Sequence, residues 1–188
     1  MISHLYFKSL AIFLALTLSS FQALANDDKD RAEINKSRQE TLTRLYKEEA
    51  DAKKAISKAY GYAVFSNVGV NVIFFSAGGG SGVAHNNKSG KDTYMKMASA
   101  GIGIGLGVKD FRAVFAFHTK DAFDNFVDKG WDFSGQADAA AKSGDKGGEG
   151  SAAGSVVNGV TVYQLTESGL ALQATLQGTK YWKDDDLN

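Results

Sequence analysis

The sequence predicts an α+β fold: a long amino-terminal helix, then a largely antiparallel, glycine-rich β-sheet that is closed or nearly closed and carries one short helix. Residues 27–58 are charged, lack glycine and place apolar side chains at steps of three and four, which is typical of a helix. After Tyr60 the apolar pattern changes to the alternation that is typical of strands. The chain has no proline, so glycine, asparagine, aspartate and serine must form the turns.

The first residues predict an export signal. Lys8 precedes the apolar run Leu10–Leu18, and Ala23-Leu24-Ala25 has the small residues of a cleavage site. We therefore expect residues 1–25 to be a signal peptide that is cleaved after Ala25, with an uncleaved anchor as the alternative. The run is too short for a membrane-spanning helix. Since the chain has no cysteine, we expect no lipid anchor and no disulfide. The export signal predicts that the processed protein is soluble in the periplasm, with the outside of the cell as the alternative.

Length and charge limit the class of protein. The sequence holds 21 Lys and Arg against 21 Asp and Glu, a formal net charge of zero. Nucleic-acid-binding proteins usually carry a basic excess, so we expect no nucleic-acid partner. After the signal peptide, the chain has the length of one domain with its own core. We divide it into an amino-terminal helical segment, residues 26–46, and a domain, residues 47–188.

The charged segment favours a helix that begins near Asp27 and Asp28, which are good capping residues. Its apolar stripe is better developed after Leu42, so the second half should pack on the domain. One unbroken helix of this length would exceed the diameter of the domain. The prediction therefore leaves open whether the helix is continuous.

The next part of the chain predicts strands separated by polar turns. Ser66-Asn67 is the predicted turn between the first two strands, and Asn86–Gly90 is a hairpin-like turn. The glycine cluster Gly78–Gly82 has two interpretations: backbone N–H groups that hold a lipid headgroup, or a bend or bulge in a tight sheet. The predicted strands are residues 62–65, 70–75 and 93–98.

Residues 100–108 alternate glycine with an aliphatic residue. One face of a strand here would be bare backbone, and the other would carry Ile102, Ile104, Leu106 and Val108. Glycine weakens a strand, so we expect a helix or a second sheet to pack closely on this bare face.

The last third predicts another strand, a capped helix and a hairpin. Phe111–His118 is an apolar strand, Thr119 caps a short helix at Lys120–Lys129, and Gly130 ends it. The predicted carboxy-terminal elements are a mobile loop at 143–155, strands at 156–165 and 170–176 joined at Thr166–Gly169, and a solvated acidic tail at 183–188.

Several of these segments, taken in order, resemble the SYLF domain. They are Ala59–Phe65, Gly78–Gly82, Gly101–Gly105, Asp121–Phe126, and Ser168–Leu170 with Gly178. SYLF domains are lipid-binding domains of eukaryotic actin-patch adaptors and of exported bacterial proteins, and the resemblance covers residues 47–188. It implies binding to membrane phospholipids, which are phosphoinositides for the eukaryotic members.

The sequence does not predict an enzyme, a metal site or a cofactor. His85 and His118 are far apart, and Asp184-Asp185-Asp186 lacks the glycine and glutamate of a calcium loop. No Gly-x-Ser-x-Gly nucleophile motif and no phosphate-binding or dinucleotide-binding glycine motif is present.

The candidate lipid-binding residues lie at the end of the charged helix and in the glycine cluster. They are Lys53, Lys54, Lys58, Tyr60 and Tyr62 for an anionic headgroup, and Gly78, Gly79 and Gly80 for its phosphate. The alternative for the lysines is a solvated helix with charge pairs four residues apart. We thus expect a non-catalytic periplasmic protein that binds anionic phospholipid or a membrane surface. The alternative is a structural or interaction protein of the cell envelope with a protein partner.

Overall fold

The computed structural model describes residues 3–72, 75–102, 111–132, 155–157, 159–166, 169–170 and 179–188. These residues form three helices and nine strands. The helices are α1 (Ser3–Glu48), α2 (Ala50–Lys58) and α3 (Lys120–Lys129). The strands are β1 (Gly61–Val72), β2 (Phe75–Asn86), β3 (Asp92–Ile102), β4 (Phe111–Phe117), β5 (Trp131–Asp132), β6 (Ser155–Val157), β7 (Val160–Thr166), β8 (Gly169–Leu170) and β9 (Thr179–Lys183).

The strands form one curled antiparallel sheet, a half-barrel. Its order is β5-β9-β3-β2-β1-β4-β7-β6, and β8 also pairs with β7. The predicted amino-terminal helix and antiparallel sheet are confirmed. The predicted start of that helix near Asp27 is wrong, because α1 already begins at Ser3. Over the described residues no pairing joins the two edge strands of this order, β5 and β6. The described residues therefore do not show the predicted closure of the sheet.

One face of the sheet, the α3 face, carries an aromatic core. Phe65, Phe115 and Phe117 point from β1 and β4 against Phe126 of α3 and Tyr181 of β9, all at most 1% exposed. Ring centroids lie 4.7 Å apart for Phe65 and Tyr181 and 4.9 Å apart for Phe117 and Phe126. These are favourable edge-to-face and tilted separations. Aromatic side chains therefore fill the described part of the α3 face.

The opposite face, the α1 face, is covered by α1 and α2. Leu45 of α1 and Ile56 of α2 pack against Val64, Val114 and Leu165 of the sheet. Glu49 interrupts the helix with extended φ and ψ of −139° and 98°, and its carboxylate accepts from the N–H of Asp51. The break lets α2 turn its apolar side onto the sheet, so the charged segment is two helices.

The first predicted turn is wrong. β1 runs without interruption through Ser66-Asn67 and ends at Val72, while β2 begins at Phe75. Every residue of the β1–β2 ladder keeps one register, from Gly61 opposite Asn86 to Val72 opposite Phe75. Ser66 and Asn67 have turn-forming side chains, but pairing with neighbours on both sides outweighs that local preference.

The glycine cluster is a central strand. Gly78–Gly82 pairs with β1 on one side and β3 on the other, without a bulge. A Cβ at Gly82 would lie 2.3 Å from Cδ1 of Phe65 and 2.4 Å from the Val64 carbonyl oxygen. Glycine is needed there because the Phe65 ring lies on the backbone.

The predicted short helix is confirmed at both ends. The Thr119 hydroxyl accepts from the N–H of Ala122 at 3.2 Å. Gly130 ends the helix with φ +69°, and a Cβ there would lie 2.2 Å from the Tyr181 carbonyl oxygen. Phe123 and Phe126 form its buried side.

The carboxy-terminal region differs from the prediction. The strand expected at 156–165 is a hairpin, because Gly159 turns the chain with φ +78° between β6 and β7. The acidic tail is partly buried: Asp184 is 3% and Leu187 is 7% exposed. Lys96 stabilises the buried carboxylate of Asp184, since its Nζ lies 2.9 Å from that carboxylate.

Several predictions fall wholly or partly outside the described residues. They concern residues 103–108 of the glycine-aliphatic run, residues 143–154 of the loop, and residues 171–176 of the last predicted strand. Ala100–Ile102 are described and continue β3. The hairpin link at Thr166–Gly169 is confirmed, because β7 and β8 pair through these two residues.

Candidate functional site

The helix α2 presents a row of lysines to solvent. Ala52 and Ile56 are buried, so the side chains of Lys53, Lys54 and Lys58 point away from the sheet and are exposed. Lys58 lies in the last turn, where the partial negative charge of the helix terminus stabilises a cation.

The turn between β2 and β3 is tightly organised. The side-chain oxygen of Asn86 accepts from the N–H groups of Lys88 and Ser89 at 2.9 and 3.0 Å. Gly90 adopts φ +72°, and the N–H of Asn86 donates to the Lys91 carbonyl at 2.9 Å. This confirms the predicted hairpin turn and fixes Lys88 and Lys91, both exposed, on its tip.

Asn87 joins this turn to α2. Its side-chain amide donates to the carbonyl oxygens of Ile56 and Ala59 at 2.8 and 3.0 Å. Its backbone N–H donates to the Tyr60 carbonyl at 3.0 Å. The donors satisfy carbonyls that a helix end leaves unpaired. They also place Lys88, the next residue of the turn, beside the end of α2 that carries Lys58.

The two segments together form what we call the basic surface. It consists of Lys53, Lys54, Lys58, Lys88 and Lys91. Within the described part of the chain none of these ammonium groups takes part in an ion pair, whereas Lys96 and Lys120 are paired with aspartates. The sequence prediction missed Lys88 and Lys91, because only the fold brings the turn to the helix. The sole signal was the capacity of Asn87 to cap a helix end.

The two predicted tyrosines lie on different sides of the sheet. Tyr60 is partly exposed beside the basic surface, and its ring packs on Phe123 with centroids 5.8 Å apart. Tyr62 lies beneath α1, where its ring packs on His85 at 5.1 Å. Burial raises the pKa of Tyr62, and the nearby Arg38 opposes that rise. The structure therefore brings Tyr60, and not Tyr62, to the lysines.

The predicted glycines lie apart from the lysines. Gly79 lies about 20 Å along β2 from His85, at the usual rise of a strand, and His85 is next to the turn that carries Lys88. Gly78, Gly79 and Gly80 pair with β1 and β3 on both sides, so their backbone groups belong to the ladders. They do not form the predicted cradle of free N–H groups. A role in lipid binding through the exposed surface at Gly79 stays a prediction.

A polar cluster fastens α1 to the hairpin near the basic surface. Arg38 donates through Nη1 to both oxygens of Asp92 at 3.0 Å, and His85 Nδ1 lies 2.6 Å from the same carboxylate. All three side chains are at most 27% exposed. The negative charge of Asp92 is paired with the guanidinium of Arg38, so it does not cancel the positive charge of Lys91.

A groove of about 600 Å³ lies between α1 and the carboxy-terminal turn. Its lining includes Asp27, Asp30, Glu33, Lys96, Asp184 and Asp186. Hydrogen bonds to Asp184 and then to Asp186 raise the pKa of Lys96, so this single ammonium stays charged and paired. The excess of carboxylates makes the groove unsuited to an anionic headgroup.

The described residues lack two other features. They contain no group of three or more His, Cys, Asp or Glu side chains placed to hold a metal ion. No helix formed by these residues combines the length and the apolar character needed to cross a membrane.

The chain is similar to a known bacterial protein. Over 157 residues the chain is 40% identical to the Beta cell expansion factor A of Aeromonas veronii. The match covers 84% of this chain and 58% of that protein, so the chain is related to it but spans little more than half its length. No family model matches the sequence.

Proposed function

We propose that this chain is an exported SYLF-type protein that binds anionic phospholipid surfaces in the periplasm and is not an enzyme. The basic surface carries the proposal. Its lysines are exposed, lack ion pairs among the described residues and border the partly exposed ring of Tyr60. Lysine ammonium groups attract the phosphates of a bilayer without a defined pocket.

The rest of the fold supports a surface contact over an enclosed lipid. Aromatic side chains fill the α3 face over the residues that the structure describes, and the groove beside α1 is acidic. Each lysine near an anionic bilayer contributes about 1 kcal/mol, which falls as salt screens the charges. The basic surface as a whole would thus give a moderate contact that depends strongly on salt.

Co-sedimentation with vesicles tests the proposal. The protein is purified from a bacterial host that exports it, and its intact mass shows whether cleavage follows Ala25. We expect binding to phosphatidylglycerol vesicles at low salt, weaker binding at high salt, and none to pure phosphatidylcholine. Absence of binding to the anionic vesicles at low salt contradicts the proposal.

A charge-matched pair of variants locates the contact. Replacing Lys53, Lys54 and Lys58 together with Gln should weaken binding by about a hundredfold, at about 1 kcal/mol per lysine. The control replaces three exposed lysines elsewhere, Lys36, Lys129 and Lys183, with Gln. Both variants lose the same net charge, so equal weakening would mean that binding follows net charge and not this surface.

The alternative function, an envelope protein with a protein partner, predicts another result. A partner would be recovered from envelope extract in a fixed ratio, and the recovery would persist after detergent removes the lipid. The acidic groove beside α1 is the surface that favours this reading, because it offers carboxylates to a basic partner.

A further inference from the structure

We infer that α2 and the β2–β3 turn act as one anion-binding surface, and that Asn87 is the positioning residue that joins them. The inference rests on the proposed function and deepens it: the ligand is an array of neighbouring phosphates, as in an anionic bilayer.

The hydrogen bonds of Asn87 carry the argument. Its amide donates twice to the end of α2, at Ile56 and Ala59, and its N–H donates to Tyr60. Three donors from one residue thus hold the turn against the helix. Asn86 shapes the turn itself and, among the bonds of its side chain to described residues, makes none to α2.

Joining the segments has a physical advantage for a weak contact. Lysine side chains on two independent segments would each have to be ordered at the bilayer separately. When one rigid junction holds both, the second segment meets the bilayer at a high effective concentration once the first has bound. The lysines on α2 and on the turn should therefore contribute together.

The test measures the effect of Asn87→Ala on vesicle binding in two backgrounds, the native protein and a variant without the turn lysines. Replacing Lys88 and Lys91 with Gln removes the contribution of the turn to vesicle binding, which is at most about thirtyfold in affinity. Asn87→Ala in the native background should weaken binding by roughly three- to thirtyfold, and the contribution of the two turn lysines sets the upper limit. Asn87→Ala in the K88Q/K91Q background should change binding by less than about twofold, since no turn lysine is left to position.

A purely structural role for Asn87 gives a different pattern. Asn87→Ala then lowers thermal stability in both backgrounds and weakens vesicle binding equally in both, which would overturn the inference. Equal binding by the native protein and Asn87→Ala would overturn it as well.

A second measurement does not depend on lipid. The chain has no cysteine, so spin labels can be placed selectively through Ser57→Cys on α2 and Ser89→Cys on the turn. Double electron–electron resonance should give a narrow distance distribution, and Asn87→Ala should broaden it. An unchanged distribution contradicts the positioning role. If the native protein binds no vesicle while the distribution still broadens, the proposed function fails and the role of Asn87 as the joint remains.

Discussion

Gly82→Ala tests the close packing within the sheet. The added methyl carbon would lie 2.3 Å from the Phe65 ring and 2.4 Å from the Val64 carbonyl oxygen. Phe65 is fully buried against Phe126 and Tyr181, and the carbonyl belongs to the backbone of β1. Neither neighbour can move aside cheaply, so overpacking should cost about 1–3 kcal/mol or more.

The matched control lies three residues away in the same strand. A methyl group at Gly79 would come no closer than 4.0 Å to a described atom, the Met97 carbonyl oxygen. Gly79→Ala should therefore be neutral or stabilise the fold by up to about 1 kcal/mol, because alanine lowers the entropy of the unfolded chain.

Thermal unfolding followed by circular dichroism measures both variants. For a chain of this length, 1 kcal/mol shifts the midpoint by about 2–4 °C. Gly82→Ala should therefore lower Tm by about 3–10 °C, and Gly79→Ala should leave it within about 3 °C of the native value. Equal effects of the two substitutions would refute the claim that β2 lies beneath the Phe65 ring.

Three further predictions concern the cap, the polar cluster and the aromatic core. Thr119→Ala removes the acceptor for the Ala122 N–H and should cost about 0.5–2 kcal/mol in urea unfolding, whereas Thr119→Ser should restore most of it. Asp92→Asn leaves the Arg38 guanidinium without its charged partner and should cost roughly 1 kcal/mol at low salt; no loss would mean that the cluster does not hold α1. Burial raises the pKa of Tyr181, so above pH 10.0 the unfolded chain loses this proton while the folded chain keeps it. The free energy of unfolding should therefore fall as pH rises past 10. In Tyr181→Phe this fall should be less steep than in the native protein, by at most about 1.4 kcal/mol per pH unit, and equal slopes would contradict the burial.

Locally encoded elements could be predicted from the sequence. Thr119 and Gly130 bound α3 through their own side-chain and backbone preferences, and Asn86 with Gly90 specifies the hairpin turn. The apolar run that begins at Phe111 also predicts β4. Such signals lie within a few residues of one another, where propensity and capping act.

Features that depend on distant partners could not be predicted. Ser66-Asn67 carries turn-forming side chains, yet pairing on both sides keeps it in a strand. Asp184 belongs to an acidic tail but is buried, and its charged partner Lys96 lies far away in the sequence. In the same way, two of the five lysines of the basic surface were missed, because Asn87 brings Lys88 and Lys91 to α2 across a long stretch of chain.

The central claim is that the basic surface faces the bilayer. A polarity-sensitive fluorophore attached at Ser57→Cys, Ser89→Cys or Asp185→Cys, each at an exposed position, would measure this contact directly when phosphatidylglycerol vesicles are added. We predict a blue shift for labels at 57 and 89 and no shift for the label at 185, in the acidic carboxy-terminal turn. A shift confined to the label at 185, or none at 57 and 89 when the protein is bound, would contradict the claim.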